Sequence, residues 1–138
     1  IKIVYESRVD FNQYIDIVYC SPCFHGRERR DFVIVQTTNG CIFAQLLRIF
    51  SCSVPDQIFP ICLVQPLDNP IHTPPAKDRD LRLHRVCAQS KTEFIFVRSI
   101  LRGAPLIPDF DKAGDYFVMD VVDHTGDLYL RCKEIFPV

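Results

Sequence analysis

At 138 residues, with 48% hydrophobic and 24% charged content, the chain amounts to one domain's worth of sequence, and its apolar share excludes a disordered tail. Eleven phenylalanines and abundant isoleucine and valine, set against few alanines and glutamates, argue against a helical bundle. No apolar run approaches the roughly 18–20 residues that span a bilayer, so no membrane partner is expected, and a net charge of −1 excludes bulk electrostatic attraction to nucleic acid.

The chain does not begin with methionine, and its one methionine is Met119. Ile1-Lys2-Ile3-Val4-Tyr5 alternates like a strand and does not resemble a signal peptide, so residues 1–138 read as a single β-rich domain excised from a longer protein. Residues 8–20 fit strand or helix, and a short helix over Asp10–Val18 is one of these two open readings. Phe32–Gln36 is a β-branched strand. Asn39-Gly40 supplies the positive φ angles of a type I′ turn, and Cys41–Phe50 returns. A third strand is expected at Phe59–Val64, ended by Pro66, and a fourth at Leu81–Cys87. Asp68–Pro75 reads as an exposed loop. Residues 92–101 have a mixed period that suits a strand or one or two helical turns. Pro105 and Pro108 bound a connector, and residues 116–132 form a second hairpin around His124–Asp127. Val33, Val35, Ile42, Val118 and Leu130 are the expected core members. The fold class is all-β or β-dominated: a small barrel or a bent antiparallel sheet with Pro-rich loops and at most short helices.

The seven cysteines are an odd number, and Cys41, Cys62 and Cys87 lie inside apolar runs, where burial is expected. That usage suits a reducing compartment, nucleus or cytoplasm, more than a secreted disulfide scaffold. Cys20, Cys23 and His25 make the one metal-like cluster, but a closed zinc site needs a second ligand pair, and no second C-x-x-C or C-x-x-H exists. No metal or other cofactor is therefore expected. The C-terminal aspartates lack calcium-loop spacing, and no nucleophile motif or Gly-rich phosphate loop is present. Catalytic residues are not expected, and the chain does not read as an enzyme.

Charge is unevenly spread. Residues 77–102 carry seven bases (Lys77, Arg79, Arg82, Arg85, Lys91, Arg98, Arg102) and three acids, whereas residues 103–138 carry three bases and seven acids. Lys77, Arg79, Arg82 and Arg85, joined by Arg27 and Arg29, form the expected phosphate-facing patch, because arginine suits bidentate phosphate contacts. In the opposing reading, Asp78 and Asp80 pair with neighbouring arginines and the segment solvates an edge strand.

Several strings carry a resemblance. Ser21–Arg27, Arg30–Gln36, Phe43–Leu46, Lys77–Leu81, Phe94–Gly103 and Gly114–Asp123 resemble a segment of transposon-encoded, transposase-like proteins of mushroom-forming fungi, over most of the chain from Tyr5 onward. Arg30 stands where that pattern has an aromatic, and the turn at His124–Asp127 is longer. More distantly, Asp31–Val35 with Phe43–Leu46, and Ser99–Ile107 with Tyr116–Val118, resemble bromo-adjacent homology domains, which are β-rich chromatin modules. The strand matching their aromatic one reads Leu63-Val64-Gln65-Pro66, without the ring faces that a methyl-lysine cage needs. The resemblance implies a non-catalytic nuclear module contacting DNA or chromatin. The alternative is a protein–protein or self-association module of a transposase without nucleic-acid contact.

Overall fold

The computed structural model describes residues 1–69, 76–120, 123 and 125–136. The chain opens with two small antiparallel hairpins, β1 (Lys2–Glu6) with β2 (Gln13–Ile17), then β3 (Cys20–Phe24) with β4 (Arg27–Arg30). A meander follows, of β5 (Phe32–Thr37), β6 (Gly40–Val54) and β7 (Gln57–Asp68). After α1 (Ala76–Asp80) come β8 (His84–Ala88), β9 (Glu93–Phe96), a 3₁₀ turn over Val97–Ser99 and β10 (Ile100–Ala104). The last elements are β11 (Leu106–Pro108), β12 (Asp115–Val118) and α2 (Asp127–Ile135). The main antiparallel sheet has the order β10-β5-β6-β7-β8-β12-β11, with β9 paired to β7 beside β8. The fold is thus β-dominated with short helices. The barrel alternative does not hold, because among the described residues β10 and β11 stay unjoined at the ends of the order.

The part of the meander paired with β5 is buried on both sides, which its uninterrupted apolar run permits. Val33, Ile34 and Val35 are all fully buried although neighbours on a strand point to opposite faces. One face carries Val33, Val35, Ala44, Leu46, Cys62 and Val64, joined by Ile100 of β10 and covered by Ile3 and Val18. The other carries Ile34, Phe43 and Leu67, joined by Val86 and Val118 and covered by Leu128 and Cys132 of α2. Val33, Val35 and Val118 are core as expected, whereas Ile42 and Leu130 are half-buried. The expected burial of cysteines holds for Cys62 but not for Cys41 and Cys87, which are half-exposed; Cys132 is the second buried thiol.

Local structure departs from the sequence reading at several points, each with a physical cause. Of the two readings open for residues 8–20, residues 13–17 take the strand: exposure alternates with period two, and Tyr14 stacks on its cross-strand partner Tyr5 at 5.9 Å. The β5–β6 turn is centred on Thr38-Asn39 instead of Asn39-Gly40. Thr37 Oγ1 accepts the Asn39 N–H and donates to the Gly40 carbonyl, and only Gly40 takes a positive φ. Pro66 does not end β7, which runs on to Asp68. The Pro66 carbonyl accepts the Gln89 N–H, so the side where proline lacks a donor faces the gap between the β9 and β8 pairings. Residues 81–83 are turn, not strand. Residues 92–101 combine both readings as strand, 3₁₀ turn and strand. The connector expected between Pro105 and Pro108 is strand β11, paired with β12.

The expected second hairpin is the largest departure. Residues 127–135 are helix, because Leu128, Arg131, Cys132 and Ile135 repeat at helical spacing and turn inward together. Asp123 accepts the Leu128 N–H at 2.9 Å, satisfying one of the donors a helix start leaves open. His124, placed in that turn by the sequence reading, lies outside the described residues, as do residues 70–75 of the expected loop.

Gly103 is where the N-terminal hairpin meets the sheet. Its N–H donates to Asp16 Oδ2 at 2.8 Å, and an added Cβ would sit 2.6 Å from that oxygen and 2.9 Å from Val18 Cγ1. Gly103→Ala is expected to lower the unfolding free energy by about 1–3 kcal/mol, as overpacking does, read as a lower urea midpoint at unchanged slope.

Candidate functional site

The basic segment folds so that one of its acids turns inward. Asp78 of α1 is fully buried and receives Arg85 Nε at 2.8 Å. Arg85 Nη1 also meets Asp109 at 2.7 Å and Asp115 at 2.9 Å, while its guanidinium lies over the Phe117 ring at 4.5 Å. With only 9% of its side chain exposed, Arg85 joins the α1 segment to the β11–β12 connection, so its assignment to the phosphate-facing patch is corrected. Its partner is Asp78, as the opposing reading expected, but inside the fold and not on an edge strand. Lys77, Arg79 and Arg82 are exposed and make no ion pair among the described residues. The outer face of the segment therefore keeps three cations against one exposed acid, Asp80.

Arg27 and Arg29 do not extend this surface. They sit on β4, in the hairpin that lies beside Leu47, Arg48 and Ile49 of β6. The basic segment instead follows the end of β7, where Leu67 pairs with Phe43. Arg27 is exposed, but Arg29 pairs with Asp31 at 2.9 Å and lies over Tyr19 at 4.0 Å.

A second buried ionic cluster had no signal in the sequence. Asp127 Oδ2 receives Arg102 at 2.8 Å and Arg131 at 2.7 Å, and its Oδ1 takes the Arg8 N–H at 2.6 Å. Asp123 adds contacts to Arg102, Thr125 and the Leu128 N–H, and Tyr5 lies under the Arg102 guanidinium at 4.7 Å. Burial pushes both carboxyls up, but the guanidinium and N–H donors outweigh it and hold Asp123 and Asp127 below the ordinary 3.8. Asp109 is likewise held low, first by its hydrogen bond from Arg85.

A cleft of about 490 Å³ opens beside this cluster, lined by Asp16, Arg29, Asp31, Phe32, Arg102 and Gly103 among others. Its charged groups serve the fold: Asp16 accepts the Gly103 N–H, and Asp31 takes Arg29 and the Tyr19 N–H. His84 stacks on Phe136 at 4.7 Å and stands 3.9 Å from Asp120. Cys20 is half-buried on β3 and Cys23 is exposed. Among the described residues no group of three His, Cys, Asp or Glu side chains is arranged to hold a metal ion.

The largest feature missed from sequence is an uncovered part of the sheet face that α2 covers elsewhere. The ladder sets Phe50, Ile61 and Phe96 in one row and Arg48, Leu63 and Phe94 in the next, with Phe59 beyond. Phe50 lies 6.1 Å from Phe94, and Phe59 lies 6.2 Å from Phe96. Phe94 is 68% exposed and Phe96 42%, unusual for phenylalanines on a sheet. Arg98, exposed in the 3₁₀ turn, lies over the Phe96 ring at 4.7 Å. The alternation Phe94-x-Phe96 was the available signal, hidden by the mixed period of residues 92–101.

Comparison with known proteins found no family whose model matches this chain, no curated protein similar to it and no solved structure similar to it. No described helix is long and apolar enough to cross a membrane.

Two outcomes are expected. Arg85→Gln strands buried carboxylates and should cost about 3–5 kcal/mol, while Lys77→Glu, Arg79→Glu or Arg82→Glu should change stability by no more than about 0.5 kcal/mol each in urea titrations. For pH, carboxyls held below their unfolded value stabilise the fold above that value and lose this contribution as pH falls through their folded values. The urea midpoint should therefore be level above about pH 5 and drop steeply below about pH 4, and Asp123→Asn with Asp127→Asn should flatten the drop.

Proposed function

We propose that this chain is a non-catalytic nucleic-acid interaction module, working in the nucleus within a transposase-like polypeptide of the kind it resembles. One observation carries the reading: the fold draws Asp78 inward to Arg85 and leaves Lys77, Arg79 and Arg82 exposed without ion pairs among the described residues. Cations matched by buried acids serve stability, whereas exposed unmatched ones attract phosphate at little cost to the fold. Contacts of this kind fix position on a duplex without reading its sequence.

With three phosphate contacts, the log–log dependence of duplex affinity on salt should have a slope of about −2.7. Lys77→Glu, Arg79→Glu and Arg82→Glu together should abolish duplex binding while the protein stays folded, as read by fluorescence anisotropy beside circular dichroism. Unchanged binding by the triple variant would displace the site.

A second reading, a protein-docking or self-association module without nucleic-acid contact, is favoured by the uncovered apolar face of β6, β7 and β9. Sedimentation velocity separates the two, since self-association without duplex binding would favour the second.

A further inference from the structure

The uncovered face has a composition that narrows what can lie on it. Its ring-bearing residues, Phe50, Phe59, Phe94 and Phe96, are grouped on three adjacent strands around Ile61 and Leu63. Phe94 and Phe96 are two residues apart on one strand, so their Cα atoms are spaced by about 7 Å, twice the strand rise. Phe94, the more exposed of the two, can take a flat partner by itself, while the partly exposed Phe96 ring shares its surface with the Arg98 guanidinium. The charged residues that the ladder and the ring contacts place on this face are both basic. Arg98 lies against Phe96, Arg48 stands opposite Leu63 in the ladder, and both are exposed without an ion pair among the described residues. Glu93, the one carboxylate of β9, alternates to the other side of the strand from Phe94.

A second copy is a poor occupant. An isologous contact would bring the arginines of both copies to one interface, with no carboxylate at the strand positions of this face to meet them. Flat π surfaces strung on a negatively charged backbone complement both properties at once, and aromatic side chains on a basic surface are how single strands are held without sequence readout. A duplex keeps its bases stacked inward and does not offer them to the rings.

We infer that the face formed by Phe50, Phe94 and Phe96 with Arg98 is a stacking platform for single-stranded nucleic acid. This rests on the nucleic-acid reading above but uses a different surface from Lys77, Arg79 and Arg82, so the two can fail separately.

The test measures anisotropy of a labelled oligothymidylate, and of a duplex, with the 138-residue chain at low salt. The single strand should bind more tightly than the duplex. Phe94→Leu with Phe96→Leu keeps the surface apolar but removes the π faces, and should weaken single-strand binding by about 5- to 150-fold per ring. Phe94→Tyr with Phe96→Tyr should retain it. Arg98→Gln should make the salt slope shallower by about 0.7, and serves as the second probe should the leucine variant misfold.

Full single-strand affinity in a folded leucine variant overturns the platform. If Lys77→Glu, Arg79→Glu and Arg82→Glu together then abolish binding, the nucleic-acid reading survives on the basic segment alone. Duplex binding without single-strand binding likewise overturns the platform only, and absence of both overturns the two together. Competition by an acidic polypeptide as strong as by oligothymidylate would show that charge alone is recognised and also overturns it. A dimer that the leucine substitutions dissociate, without nucleic-acid binding, assigns the face to a contact between copies.

Discussion

The carboxylate of Asp127 connects parts of the chain that sequence holds far apart. It takes the backbone of Arg8 beside the first hairpin, the guanidinium of Arg102 on an edge strand of the main sheet, and the guanidinium of Arg131 one turn along its own helix. Arg131 also reaches the Glu6 carbonyl, so the helix is bound to the N-terminal hairpin through side chain and backbone together. Burying such charges is costly unless each lone pair and each N–H is engaged, and no described buried side-chain polar atom lacks a partner. The helix is placed over the second apolar layer by this cluster, and Leu128 and Cys132 then complete that layer. The position of the covered area determines which part of the sheet remains bare.

Arg85 does the same work at another site. It holds α1 and the β11–β12 connection through three aspartates, and so decides which charges of the basic segment face outward. A composition count treats Arg79 and Arg85 alike, yet one is exposed while the other is enclosed. The difference arises because Asp109 and Asp115, distant in sequence, converge on Arg85.

This explains how much could be read from residues alone. The antiparallel, strand-rich character, the β5–β6 hairpin and the burial of Val33 and Val35 follow from local β-branched runs and a turn signal, and they were legible. The last helix was not. Asp123-His124-Thr125-Gly126-Asp127 has the composition of a hairpin turn, and the inward face of Leu128, Arg131, Cys132 and Ile135 includes an arginine, which period-based reading counts as an outward residue. Tertiary pairing with Asp127 reversed that assignment. Exposed Lys77, Arg79, Arg82 and Arg27 were recoverable from charge runs, whereas the role of Arg85 required knowledge of its partners. The phenylalanines of β6, β7 and β9 lie in three separate segments, and only strand register brings them onto one surface.

The arrangement of thiols has a consequence of its own. Each apolar layer contains one fully buried cysteine, Cys62 in the first and Cys132 in the second, while Cys23 and Cys52 stand in solvent. Burial pushes the two enclosed thiols up to about 11 and about 12, so neither supplies much thiolate at neutral pH while its layer stays closed. Alkylation of Cys62 or Cys132 thus waits on a local opening, and the two sites report different openings. The molecule carries an internal clock for each layer, and comparing the two rates would tell whether the hairpin side and the helix side of the sheet come apart as one unit or in succession.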